Sequence, residues 1–205
     1  VKNVGPRLSI DETALSNGEL YTIVTNKEAR GRKGAIVAMI KGTVAENIIS
    51  VLKKIPERLR KRVLEVTMDM AANMQLAIKR CFTNAHRVID RFHVQKLAYD
   101  AVQEVRIKYR WAAIDAENES IAKAKKNKIA YQPQVLANGD TLKQLLARSR
   151  YLLFKHPSKW TSSQEHRAEL LFERYPKLKS AYDIAQKLGH IFRVCKSKEQ
   201  AFKRL

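Results

Sequence analysis

The spacing of apolar residues changes once along this 205-residue chain, near Gln95, and that change limits the folds open to it. Before this point, short runs of alternating apolar and polar residues, typical of β-strands, are interleaved with runs of helical spacing. After it, only helical spacing remains. The sequence therefore predicts an α/β region over residues 1–96 and an all-helical region over residues 97–205.

The first region contains five strand-like segments and two helical ones, in the order β-β-β-α-β-α-β. The second and third strands flank a glycine-containing turn, which favours an antiparallel hairpin. In the first helix we expect Thr43 to be the N-cap and Glu46 its capping-box partner. In the fourth strand we expect Leu64, Val66 and Met68 to point inward. The strands are predicted at residues 8–11, 20–25, 35–40, 64–68 and 86–89.

This order of elements is that of an RNase H-like sheet. Three antiparallel strands are followed by a crossover helix and by a strand parallel to the first. Because such crossovers are right-handed, the fourth strand would lie beside the first. We therefore predict a mixed five-stranded α/β sheet of RNase H-like type.

Two aspartates occupy matching positions in this scheme. Asp11 closes the first strand-like run and Asp69 closes the fourth, so on adjacent strands the two carboxylates would be neighbours. Mg²⁺ takes a few carboxylate oxygens and keeps waters, and divalent ions activate attacking oxygens in phosphodiester chemistry. Asp11 and Asp69 are therefore candidate catalytic residues and metal ligands. Asp90, after the fifth strand, is either a further metal ligand or the cap of the next helix.

The chain is strongly basic, with 40 Lys and Arg against 20 Asp and Glu and a formal net charge of +20. The excess is spread over both halves, which favours a nucleic-acid partner over a merely solvated basic surface. Arg91 is a candidate for phosphate contact, or else pairs with a carboxylate. A lysine run in the second half is another candidate for DNA binding: Lys123, Lys125, Lys126 and Lys128.

The helical half offers a second basic run, in which Arg106, Lys108 and Arg110 surround Tyr109 and Trp111. This run fits contact with a nucleic-acid backbone or a solvated face over an aromatic core, and we place both aromatics in the core. Further along, we expect Ser162 or Ser163 to cap a helix. The apolar face of the long helix after Gln95 is predicted at Leu97, Ala101, Val105 and Tyr109.

The remaining composition is that of a protein with a substantial core. Apolar residues make up 45% of the chain, and no run approaches the roughly 18 apolar residues that would span a membrane. We therefore expect a soluble protein of the reducing cytoplasm. Of the two cysteines, Cys81 is predicted to be a small buried side chain.

Three segments together resemble the DDE insertion-sequence transposases of the ISL-three group: Ser9-Ile-Asp-Glu12, Val66-Thr-Met-Asp-Met-Ala71 and, above all, Val88-Ile-Asp-Arg-Phe-His-Val94. The resemblance extends over essentially the whole chain. It implies an RNase H-like core whose helical half is an insertion after the fifth strand, with Asp11 and Asp69 as the first two catalytic carboxylates. It also implies Mg²⁺ or Mn²⁺ as cofactor, terminal-repeat and target DNA as partners, a homodimer, and a bacterial, nucleoid-associated protein.

The family's third catalytic residue is a Glu followed three residues later by Asn, and no Glu of this chain has that spacing. We therefore expect the third carboxylate beyond Leu205 and weak or no activity from this chain alone. We interpret His93 and Glu12 as structural. Two other functions remain open: a transposase-derived DNA-binding protein without catalysis, which would not need divalent metal, and an RNase H-like nuclease such as a junction resolvase, against which the helical half argues.

Overall fold

The computed structural model describes residues 3–204, and the chain divides into two compact units between Val94 and Gln95. The first unit contains the strands and the second contains helices and turns. No helix in the described part of the chain is both long and apolar enough to cross a membrane.

The elements follow the predicted order. The first unit contains β1 (Arg7–Ala14), β2 (Leu20–Asn26), β3 (Ile36–Lys41), α1 (Ala45–Leu52), α2 (Glu57–Arg60), β4 (Glu65–Met68), α3 (Ala72–Cys81) and β5 (His86–Ile89). A long helix, α4 (Arg91–Lys126), begins directly after β5. It is followed by α5 (Leu142–Arg148), α6 (Ser162–Arg174), α7 (Pro176–Val194) and α8 (Lys198–Phe202).

The five strands form one mixed sheet in the order β3-β2-β1-β4-β5. β1 pairs antiparallel with β2, and β2 with β3, while β4 is parallel to both β1 and β5. The predicted placement of the fourth strand beside the first is thus confirmed. Three parallel strands, β1, β4 and β5, therefore end at the same edge of the sheet.

Alternation along the strands separates a buried face from an open one. Leu8 and Ile10 of β1, and Val66 and Met68 of β4, are buried in a core that also contains side chains of α1 and α3. The prediction that Leu64 points inward is wrong, because this residue is 59% exposed. Leu64 lies just before β4, and its neighbour Val63, in the turn before the strand, is buried instead.

Two predicted helix caps are also wrong. α1 begins at Ala45 with Val44 at the N-cap, and Thr43 instead accepts a hydrogen bond on its carbonyl from Asn73 Nδ2 at 2.7 Å. α6 is capped by Thr161, whose hydroxyl accepts from the backbone of Gln164. The backbone N–H of Thr161 in turn donates to Oε1 of the Gln164 side chain, which completes a capping box.

The second unit has its own core, built around Leu146, Leu171 and Tyr182. Trp160, Phe172 and Tyr175 pack against it, as does Tyr109 of α4. The expectation that Trp111 lies in the core is wrong, because its side chain is 59% exposed. Trp111 follows Tyr109 by two residues, which is more than half a helical turn, so it points away from the packed face.

Candidate active site

Asp11, Asp69 and Asp90 all lie toward the edge of the sheet where the three parallel strands end. The β1–β4 ladder stops at Ser9 and Thr67, so Asp11 and Asp69 each lie two residues past its last pair. The β4–β5 ladder ends at Met68 and Ile89, and Asp69 and Asp90 directly follow it. The register therefore gives the three carboxylates corresponding positions on neighbouring strands.

Asp11 differs from the prediction in one respect, because it lies within its strand and does not close it. β1 continues to Ala14, and Asp11 is paired with Ile23 of β2. β1 thus leaves β4 after Ser9 while remaining bound to β2. The Asp11 side chain is 62% exposed at this divergence, and Asp69 and Asp90 are partly exposed.

Each aspartate side chain accepts a hydrogen bond from a backbone N–H one or two residues further along the chain. The Oδ1 atoms of Asp11, Asp69 and Asp90 accept backbone N–H bonds from Glu12 at 2.8 Å, Ala71 at 2.9 Å and Phe92 at 2.9 Å. For Asp90 this is the geometry of an N-cap on α4. A carboxylate has about four lone-pair sites, so such a bond leaves donor capacity for a cation. Capping and metal binding by Asp90 are therefore compatible.

His93 joins this site, which the sequence interpretation did not foresee. Its Nε2 lies 3.7 Å from Asp11 Oδ1, and its ring packs edge-on against Phe92 with centroids 5.5 Å apart. Asp90 and His93 are three residues apart across the first turn of α4, so both belong near the strand ends. The signal in the sequence was their shared position in the Asp90-Arg-Phe-His93 segment. Glu12 accepts instead from Asn73 of α3, at 3.4 Å.

Residues 3–204 contain no group of three or more His, Cys, Asp or Glu side chains placed to hold a metal ion together. The aspartates therefore do not form a closed cage in this conformation. Mg²⁺ seldom requires one, since it usually binds through one or two carboxylates plus waters and substrate phosphate oxygens. Accessible aspartate oxygens are the donor type that such a hydrated cation takes, so the residues fit it.

The predicted DNA-contacting residues lie in both units. Arg91 is exposed at the first position of α4, directly after Asp90. Lys123, Lys125 and Lys126 are exposed in the last turn of the same helix, within the second unit. The lysines therefore belong to a different unit from the aspartates.

Comparison with known proteins identifies a family for this chain. A family model described as "Transposase" matches residues 8–205 and so includes the three aspartates and the helical unit. No curated protein matches the chain significantly.

Proposed function

Because the chain belongs to the ISL-three family of DDE transposases, we propose that its first unit supplies catalytic carboxylates for metal-dependent cleavage and strand transfer of DNA at insertion-sequence ends. The observation that carries this proposal is the corresponding placement of Asp11, Asp69 and Asp90 just past the ends of the parallel β1–β4 and β4–β5 ladders. The strand order supports an RNase H-like core over residues 1–96, with residues 97–205 as a helical insertion.

In this proposal Asp11 and Asp69 would hold Mg²⁺ or Mn²⁺, and Asp90 would supply a further oxygen. When bound, such ions activate the attacking oxygen and stabilise the leaving one. The backbone bonds to the three carboxylates restrict their rotation, which keeps their oxygens oriented for binding. His93 is a positioning residue, because its ring lies beside Asp11.

The proposed reaction has two transfer steps, both without a covalent protein intermediate. Water attacks the phosphorus at the element's end, the bond to the 3′-oxygen breaks, and that oxygen takes up a proton. The freed 3′-hydroxyl then attacks a target phosphodiester and displaces the target's own 3′-oxygen. Arg91 and the lysine run Lys123, Lys125 and Lys126 would neutralise phosphates of the bound DNA.

Titration of the chain with Mn²⁺ tests the proposed metal site without requiring activity. Electron paramagnetic resonance measures the concentration of free ion at each step of the titration. We expect binding by the wild-type chain and an affinity at least about tenfold lower in Asp11→Asn and Asp69→Asn. Asp115→Asn is the matched control, because Asp115 is an exposed aspartate of α4. Binding that is equal in all four proteins would contradict the metal site.

The same experiment separates the enzyme from a transposase-derived DNA-binding protein. A wild-type chain that binds DNA but shows no affinity for Mn²⁺ would support the non-catalytic alternative. For the enzyme, excision of a marked element in cells by the full-length transposase should be lost when it carries Asp11→Ala or Asp69→Ala, while binding to terminal-repeat DNA persists. Continued excision by Asp69→Ala would refute its catalytic role.

A further inference from the structure

Arg106 of α4 is a buried guanidinium without a matching negative charge. The residue is 5% exposed. Its Nε donates to Gln103 Oε1 at 2.7 Å and its Nη1 donates to the carbonyl of Leu146 at 3.0 Å. No carboxylate in the described part of the chain forms an ion pair with it. Because a buried charge is costly unless it is paired, this site is incomplete in the free protein.

Two further guanidinium groups increase this imbalance. Arg110 lies one helical turn after Arg106, and Arg150 follows the end of α5; both are exposed. Burial, followed by the positive charges of Arg110 and Arg150, lowers the pKa of the Arg106 guanidinium. Three like charges in one neighbourhood repel each other, so the arrangement favours an anion among them.

Hydrogen bonds through Gln103 connect two of the three arginines, Arg106 and Arg150. Gln103 accepts from Arg106 and also donates through Nε2 to the carbonyl of Arg150 at 3.1 Å. The Arg150 guanidinium lies over the exposed ring of Tyr151, 5.5 Å from its centroid. Gln103 therefore connects the α4 arginine to the backbone of the segment that carries Arg150.

A purely structural role explains only part of this arrangement. Leu146 lies in the last turn of the seven-residue helix α5, where a cation stabilises the C-terminal carbonyl groups. The partial negative charge of these carbonyl groups accounts for the hydrogen bond from Arg106 to Leu146. It does not account for two additional arginines, and a guanidinium has five N–H donors, of which the structure engages two.

We propose that Arg106, Arg110 and Arg150 form a binding site for a backbone phosphate of DNA on the helical unit. The fork of N–H donors on each arginine matches phosphate oxygens in geometry and charge. The contact would orient DNA without reading its sequence. This inference rests on DNA being the substrate, as in the proposed function, and it adds a site separate from the aspartates and from the lysine run.

The salt dependence of DNA binding tests the site, measured by fluorescence polarisation of a labelled random-sequence duplex between roughly 50 and 200 mM NaCl. In Arg106→Met we expect the slope of log K against log salt to fall by about 0.9, the value for one lost phosphate contact. The affinity should weaken severalfold at the lower salt concentration. Melting temperature should be unchanged or higher, because an unpaired buried charge has been removed.

Exposed variants keep the test independent of folding. Arg110→Gln and Arg150→Gln should each weaken binding, and each should have a smaller effect when combined with Arg106→Met, because the shared site is already lost. Arg193→Gln is the control, because Arg193 is an exposed arginine on α7. Any loss of DNA affinity that this substitution causes should be the same with or without Arg106→Met.

The outcomes distinguish this inference from the proposed function. If the wild-type chain binds the duplex and none of the three variants changes the salt slope, the phosphate site is wrong and the transposase assignment stands. If the salt slope is unchanged and the Arg106→Met protein melts at a lower temperature than the wild type, Arg106 acts only as the cap of α5. If the wild-type chain does not bind DNA, both proposals fail.

Discussion

At the scale of single residues, the helical unit contains a buried acid whose charge is fully compensated, in contrast to Arg106. Asp140 is 1% exposed and accepts bonds from Arg148, from Arg167 Nε at 3.3 Å and from Asn138 Nδ2 at 3.0 Å. These contacts connect the segment before α5 to α5 and α6. A carboxylate at this position therefore stabilises three parts of the unit at once.

Replacing Asp140 by Asn should lower the free energy of unfolding by about 3 kcal/mol, because the arginines lose the charge that compensates their partial burial. Urea denaturation followed by circular dichroism measures the change. Asp183→Asn provides the comparison, since Asp183 pairs with Lys179 at 2.6 Å on the exposed surface of α7. That loss should be less than about 0.5 kcal/mol. Equal losses would show that Asp140 is no more important than a surface ion pair.

The two cysteines should differ sharply in reactivity. Cys81 is 1% exposed, and burial raises the pKa of its thiol, so little thiolate is available. Cys195 is partly exposed at the end of α7. With Ellman's reagent at about pH 8, close to the ordinary thiol pKa, the native protein should show one fast-reacting thiol. Cys195→Ser should remove it and Cys81→Ser should retain it. Rapid modification of the Cys195→Ser protein would contradict the burial of Cys81.

At the scale of elements, strand order was predictable and several details were not. The alternation of strands and helices, with one crossover rule, was enough to place β4 beside β1. Thr43 failed as a cap because α1 begins only at Ala45, which places Val44 at the N-cap; the Thr43 carbonyl instead accepts a hydrogen bond from Asn73, distant in sequence. The cap of α6 was available from local sequence, since Thr161-x-x-Gln164 has capping-box spacing, but three adjacent hydroxyl residues obscured it.

In the candidate site too, some features were predictable from the sequence, whereas others depend on contacts between distant residues. The three aspartates reach corresponding strand positions because parallel register follows from topology. The contact between His93 and Asp11 depends on the direction in which α4 leaves the sheet, which no local pattern encodes. On α4 the predicted face is partly wrong: Leu97 is 55% exposed, whereas Gln103 and Arg106 are buried. Both side chains bind backbone carbonyls that are distant in sequence, Arg106 that of Leu146 and Gln103 that of Arg150.

The capping boxes of α5 and α6 allow a prediction at this scale. Thr141→Ala and Thr161→Ala should each lower the free energy of unfolding by about 1 kcal/mol, because each removes the acceptor for an otherwise unsatisfied backbone N–H. Ser162→Ala is the control, as Ser162 is exposed and lies inside the helix that Thr161 caps. Its effect should stay within about 0.5 kcal/mol. A larger loss from Ser162→Ala than from Thr161→Ala would place the cap one residue later.

At the scale of the whole molecule, the chain has two separate sets of buried apolar side chains. In the described residues, one cluster extends from Leu8 to Phe82 and the other from Val102 to Ala185. Neither cluster includes buried side chains from the other unit. Burial of apolar surface is the main favourable term in folding, so each unit has its own source of stability.

Cavities placed in one core at a time test whether stability is divided in this way. Ile48 and Leu171 are fully buried in the first and second core, and replacing either with Ala should cost about 2–5 kcal/mol within its unit. Hydrogen exchange followed by mass spectrometry should show faster exchange in the strands of the first unit for Ile48→Ala. For Leu171→Ala the faster exchange should lie in α5, α6 and α7. Because amides report the local opening free energy, acceleration of both units by either cavity would mean that the chain unfolds as one cooperative body.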